Sequence, residues 1–133
     1  MVRVLIAEDN AAYRQSLHQV LTGRFPFMQI TETVNGTDTL HQALSRNYDL
    51  IFMDVRMPEL DGFDVIVRAQ RAQPDIAVLV MTGFGTVETA IRALRQGVDG
   101  LILKPFSKGS ELVDAVKLAL ADSQQKRDAA RTH

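Results

Sequence analysis

At 133 residues the chain is one domain's length, long enough to bury a core without staples and too short to hold a second folded domain. It has no cysteine, which excludes a disulfide framework, a thiol nucleophile or a thiolate metal site, suits a reducing compartment and makes the cytoplasm the expected location. Fifteen basic against sixteen acidic residues leave a net charge of -1 with no Lys/Arg cluster in the body of the chain, so direct nucleic-acid binding is not expected.

Val2 to Ala7 reads as a strand, and Leu17, Val20 and Leu21 then recur at helical spacing, with Gly23 expected to stop that helix. Met28 to Thr33 is a weaker strand whose polar alternation predicts a less buried edge. Asn35-Gly36 turns into a short helix carrying Leu40, Ala43 and Leu44. Asp49 to Asp54 is a third strand, and the loop MPELDG leads to a helix with Phe63, Ile66 and Val67 toward the core. Ile76 to Met81, the longest strictly apolar stretch, is a fourth strand and far too short to span a bilayer. Thr86 caps the helix that follows, Val87, Ala90, Ile91 and Leu94 share one of its faces, and Gly97 closes it. Asp99 to Leu103 is the last strand, before a helix that Ser107 or Ser110 could cap and that turns Leu112, Val113, Val116 and Leu120 inward. From Ala121 the chain is polar but rich in helix formers, so residues 122–133 are expected to extend the last helix or act as a linker, outside the core. Strands alternating with helices predict an α/β fold: a single five-stranded parallel, doubly wound sheet of order 2-1-3-4-5.

The apolar strand runs end in polar residues: LIAED at Glu8 and Asp9, LIFMD at Asp54, AVLVMT at Thr82 and GLILK at Lys104. Ligands of parallel sheets sit beyond the carboxyl ends of the strands, so these endings should converge. Glu8, Asp9 and Asp54 offer the hard oxygens that suit Mg²⁺, while Asp54 can also attack a phosphoryl group as a nucleophile. Lys104 would counter charge as that group arrives, and the Thr82 hydroxyl can donate to a phosphoryl oxygen. Taken singly, each has a plainer reading: a solvated strand-end acid, a helix cap at Asp9 or Asn10, or a threonine bonding its own loop. His18, His41 and His133 lack partners at metal-ligand spacing. Met53 and Met81 read as strand core, and Arg92, Arg95 and Lys108 as a solvated face.

Together LIAED, LIFMDVRMPELDG, VLVMTG and LILKPF resemble, over about residues 2 to 120, the receiver domain of two-component response regulators. The resemblance implies a receiver domain over residues 1–121 that is not a conventional enzyme but a phosphoacceptor assisting its own phosphorylation and dephosphorylation. It implies phosphorylation of Asp54 by a sensor histidine kinase, Mg²⁺ held by Glu8, Asp9, Asp54 and the backbone carbonyl of Arg56, and Thr82 relaying occupancy to an output domain or downstream partner, in transcriptional regulation. It also implies a cis Lys104–Pro105 bond and tuning of phosphoryl lifetime by Arg56 and Phe84, while a phosphorylation-dependent homodimer stays an open alternative that the residues do not decide. The chain departs from the pattern at Leu101, where receivers usually carry an aromatic switch residue, so coupling through that position should differ.

Competing readings are a Mg²⁺-dependent phosphohydrolase, a phosphorylation-independent interaction module, and a nucleotide- or flavin-binding domain. The phosphohydrolase pattern expects a second acid two residues after the nucleophile, where Arg56 stands. The full acid, hydroxyl and amine set disfavours the interaction module, and no GxGxxG or Walker-type loop supports nucleotide binding.

Overall fold

The computed structural model describes residues 1–83 and 86–131. Elements alternate along the chain: β1 (Val2–Ala7), α1 (Ala11–Arg24), β2 (Met28–Thr33), α2 (Gly36–Ser45), β3 (Leu50–Asp54), α3 (Gly62–Ala72), β4 (Ala77–Thr82), α4 (Val87–Arg95), β5 (Gly100–Leu103) and α5 (Gly109–Arg131). The strands form one sheet of order β2-β1-β3-β4-β5, and the pairings β1 with β2, β1 with β3, β3 with β4 and β4 with β5 are all parallel, as predicted.

β3 and β4 are buried at every position, because helices cover both faces and no solvated side is left to accept polar residues. The period of two then sorts their side chains. Ile51, Met53, Val78 and Val80 pack with Phe63 and Ile66 of α3 and with Ala43 of α2. Leu50, Phe52, Leu79 and Met81 pack with Leu17 of α1 and with Leu112 and Val116 of α5. The outer strand β2 is only partly buried.

Several local expectations change. α1 runs through Gly23 to Arg24, and its final turn closes where the Phe25 N–H donates to the Leu21 carbonyl; apolar contacts of the helix outweigh one glycine's cost. Neither serine caps α5: Ser110 lies inside the helix and the Ser107 hydroxyl donates to the Glu111 carboxylate. Gly97, at φ 69°, does sit just past α4 in the left-handed conformation that glycine tolerates. In α4 the stripe of Val87, Ile91 and Leu94 faces outward, with Val87 75% and Leu94 80% exposed, and only Ala93 is buried. Periodicity identified the stripe; what it packs against depends on where the neighbouring helices lie.

The polar tail continues α5 without a break to Arg131, and it is not free of the core. Ser123 is buried, its hydroxyl donating to the Asp75 carbonyl, and the Arg127 guanidinium bonds Asp75 Oδ2 and Asp49 Oδ1, each at 2.8 Å. A polar segment can be buried where polar groups wait for it, and hydropathy does not register that.

Candidate functional site

Glu8 follows β1, Asp54 ends β3 and Lys104 follows β5. Val4 and Ile6, Leu50 and Phe52, and Ile102 all belong to the core beneath α1 and α5, so the two-residue period carries Glu8, Asp54 and Lys104 to that same side at one edge. There the Lys104 Nζ lies 2.8 Å from Asp54 Oδ2, to which it donates, and 2.5 Å from Glu8 Oε1 in an ionic contact. Glu8 is fully buried, and its other oxygen accepts the Asn10 N–H at 3.0 Å. The remaining Asp54 oxygen accepts the Arg56 N–H at 2.9 Å. Arg14 Nη1 donates to the Glu8 carbonyl at 2.9 Å, tying α1 to the end of β1.

The edge is short of positive charge. Carboxylate oxygens of Glu8, Asp9 and Asp54 all lie within 4.8 Å of one another. Burial pushes the Glu8 carboxyl up to about 7, with the Asp54 charge adding to the rise and Lys104 and Asn10 opposing it. Burial alone would lower the Lys104 pKa, but its bonds to Asp54 and Glu8 outweigh this and raise it, so the lysine stays charged. One ammonium thus faces clustered hard oxygens. Such a donor set fits a small divalent cation of the Mg²⁺ type, and nitrogen or sulfur ligands, which would point to other metals, are absent from the cluster.

The other candidate residues fall around this centre. Thr82 is buried at the end of β4, beside the β3 end, and its carbonyl accepts the Lys104 N–H at 2.8 Å. The Lys104–Pro105 bond is cis. Leu101 is half-buried against the cluster that includes Ala93 and Val98, on the opposite face of the sheet from Lys104. Phe84, assigned to tuning, and His133 lie outside the described residues. His18 Nδ1 sits 3.2 Å from Glu32, in a surface pair rather than a metal-like cluster. Arg92 is not merely solvated: it lies 4.3 Å over the Phe63 ring and 3.4 Å from Asp61.

Sequence reasoning missed Tyr13. Its ring centroid is 4.9 Å from the Lys104 Nζ, and its edge meets the Phe106 ring at 5.8 Å and 65°. Burial, reinforced by the Glu8 and Asp54 charges, raises the pKa of its hydroxyl, which therefore stays protonated. The available signal was an aromatic residue at the third position of a helix whose cap, Asn10, directly follows an acid pair.

An acid cluster with a paired lysine thus gathers at the carboxyl edge of an open parallel α/β sheet, the edge at which ligands of such folds bind. The description "response regulator receiver domain" fits residues 4–117, and the chain belongs to that family, the signalling domains of two-component systems. It is 34% identical to the DNA-binding transcriptional regulator NtrC of Rhizobium meliloti over 92% of this chain and 25% of that protein. To the transcriptional regulatory protein CusR of Escherichia coli K12 it is 29% identical, over 90% of this chain and 51% of the other. Among solved structures, NtrX of Brucella abortus in complex with ADP superposes with a TM-score of 0.88 at 25% identity, covering 100% of this chain and 30% of that one. A CheY-like receiver domain protein of Methanospirillum hungatei matches with a TM-score of 0.85 at 22% identity, over 95% and 98% of the two chains. The chain thus spans between a quarter and about half the length of these transcriptional regulators. Among the described residues no helix is long and apolar enough to cross a membrane.

Proposed function

We propose that Asp54 is the phosphoacceptor of this receiver domain and that a sensor histidine kinase is the donor. The observation that carries this is the buried Asp54 carboxylate, held between the Lys104 ammonium and the Arg56 N–H at the strand edge. An Asp54 oxygen forms the new O–P bond as the P–N bond of a phosphohistidine breaks, and that bond's electron pair stays on the leaving imidazole. Lys104 already lies against Asp54, so its charge is in place where negative charge gathers in transfer, with little reorganisation required. Glu8, Asp9, Asp54 and the Arg56 carbonyl would hold Mg²⁺, which supplies charge neutralisation at the phosphoryl oxygens when bound. Arg56 and Phe84 would tune access of water to the acyl phosphate. Thr82 donates to a phosphoryl oxygen, and with Leu101 in place of an aromatic its movement is relayed by packing alone.

The relatives support a transcriptional output. NtrC and CusR are transcriptional regulators longer than this chain, so residues 1–121 would act as the receiver and residues 122–133 lead toward an output domain or partner, with dimerisation on phosphorylation as one route. Such a switch works in the cytoplasm, and the domain itself does not touch nucleic acid.

Incubation with acetyl phosphate and Mg²⁺ followed by intact mass tests the central step. Wild type should gain one phosphoryl group that Asp54→Asn does not. No gain in wild type would leave an interaction module, and sustained turnover of an added phosphoester would point to a hydrolase.

A further inference from the structure

We propose that Tyr13 is a positioning residue for Lys104, its ring holding the ammonium at the phosphoacceptor. This rests on the phosphoacceptor reading and adds a residue to it.

A lysine chain is long, rotamer-rich and easily displaced, so an ammonium that must be on site needs a hold. Glu8 and Asp54 grip Lys104 here, but both carboxylates have other work in the proposed chemistry. The Tyr13 ring, with its centroid 4.9 Å from Nζ, has none. Its π face attracts the cation whatever the state of the acids. The ring is itself fixed from two sides. Asn10 Oδ1 accepts the backbone N–H of Tyr13 at 2.9 Å, and the Asn10 N–H donates to Glu8 Oε2, so the start of α1 is indexed to the acid that Lys104 touches. On the other side Phe106, two residues beyond Lys104, meets the ring edge-on. Ring and lysine are thus clasped by each other's neighbours.

The hydroxyl contributes no hydrogen bond: Tyr13 Oη is buried without a partner among the described residues. What the position needs is therefore the ring and not the phenol. That separates this role from an ordinary tyrosine hydrogen bond and predicts that phenylalanine substitutes for it.

The experiment compares wild type, Tyr13→Phe and Tyr13→Leu in the whole chain, with Tyr13→Met as a volume-filling alternative should the leucine variant unfold. In ¹H–¹³C spectra the Lys104 ε-methylene, assigned with Lys104→Arg, should show a ring-current shift in wild type and Tyr13→Phe that is lost in the Leu and Met variants. The initial rate of phosphoryl uptake from acetyl phosphate at saturating Mg²⁺ should stay within about twofold in Tyr13→Phe and fall at least about fivefold without the ring. A wild-type rate in Tyr13→Leu or Tyr13→Met, an equal fall in Tyr13→Phe, or a wild-type Lys104 signal without a ring-current shift overturns the proposal. Absence of uptake in wild type overturns the phosphoacceptor reading instead, a result distinct from uptake that is indifferent to residue 13.

Discussion

Gly62 shows how closely single residues are constrained around Asp54. A Cβ added there would lie 2.6 Å from the Val55 Cα and 2.9 Å from the Asp54 carbonyl oxygen, both backbone atoms that cannot swing aside. The loop after β3 therefore folds back on the Asp54 backbone only because residue 62 has no side chain. Gly62→Ala should destabilise the domain by about 1–3 kcal/mol, the usual cost of overpacking, as a lowered urea midpoint with an unchanged slope. At this scale much was legible. Glu8, Asp54 and Lys104 announce themselves as charged ends of apolar runs, and the pleat brings them to one side. Tyr13 did not, because a ring packed against an ammonium contributed 91 residues later leaves no local pattern.

The helices divide between those read well and those whose surroundings mattered more than their period. α3 buries Phe63 and Ile66 as the spacing predicted, though Val65 and not Val67 completes that face, whereas the apolar stripe of α4 is turned to solvent. α5 departs furthest from its sequence. The aspartates at the amino ends of the last strands receive its polar extension: Asp49 and Asp75 take Arg127, and Asp99 lies 3.9 Å from Lys126. Residues 122–131 are thereby docked along the edge opposite the site. Arg127→Met, which retains much of the stem while removing the charge, should cost about 1 kcal/mol, since the pairs are partly solvent-screened. Amide hydrogen exchange should rise selectively over residues 122–131 and leave β3 and β4 protected.

Stability of the whole molecule should carry the mark of a buried acid in the same region. Asp99 Oδ2 accepts the Val78 N–H at 2.8 Å; burial, then its bond with Asp122, pushes its carboxyl from 3.8 up to about 6, while Lys126 opposes the rise. The same interaction holds the Asp122 carboxyl below its ordinary value. A folded-state pKa above the unfolded one means that the native protein binds more protons between pH 4 and 6. The contribution of Asp99 is therefore present below pH 3.8 and is lost as pH rises through about 6. Urea midpoints of wild type and Asp99→Asn, measured with a chelator, should differ in pH dependence across this window, the wild type falling more steeply; parallel profiles would refute the account.

Some of this was written in the residues. Alternating apolar runs and helical spacings dictate a parallel sheet covered on both faces, because strands lacking a polar side have nowhere else to go. Charged residues closing those runs mark a common edge, because ligands of such sheets gather beyond the carboxyl ends. Those inferences rest on local periodicity, which a linear chain carries in full. The orientation of the α4 stripe, the docking of a hydrophilic α5 extension and the seat of Lys104 against Tyr13 depend on pairings between distant segments. Their energies come from who the neighbour is, and only the folded arrangement supplies the neighbour.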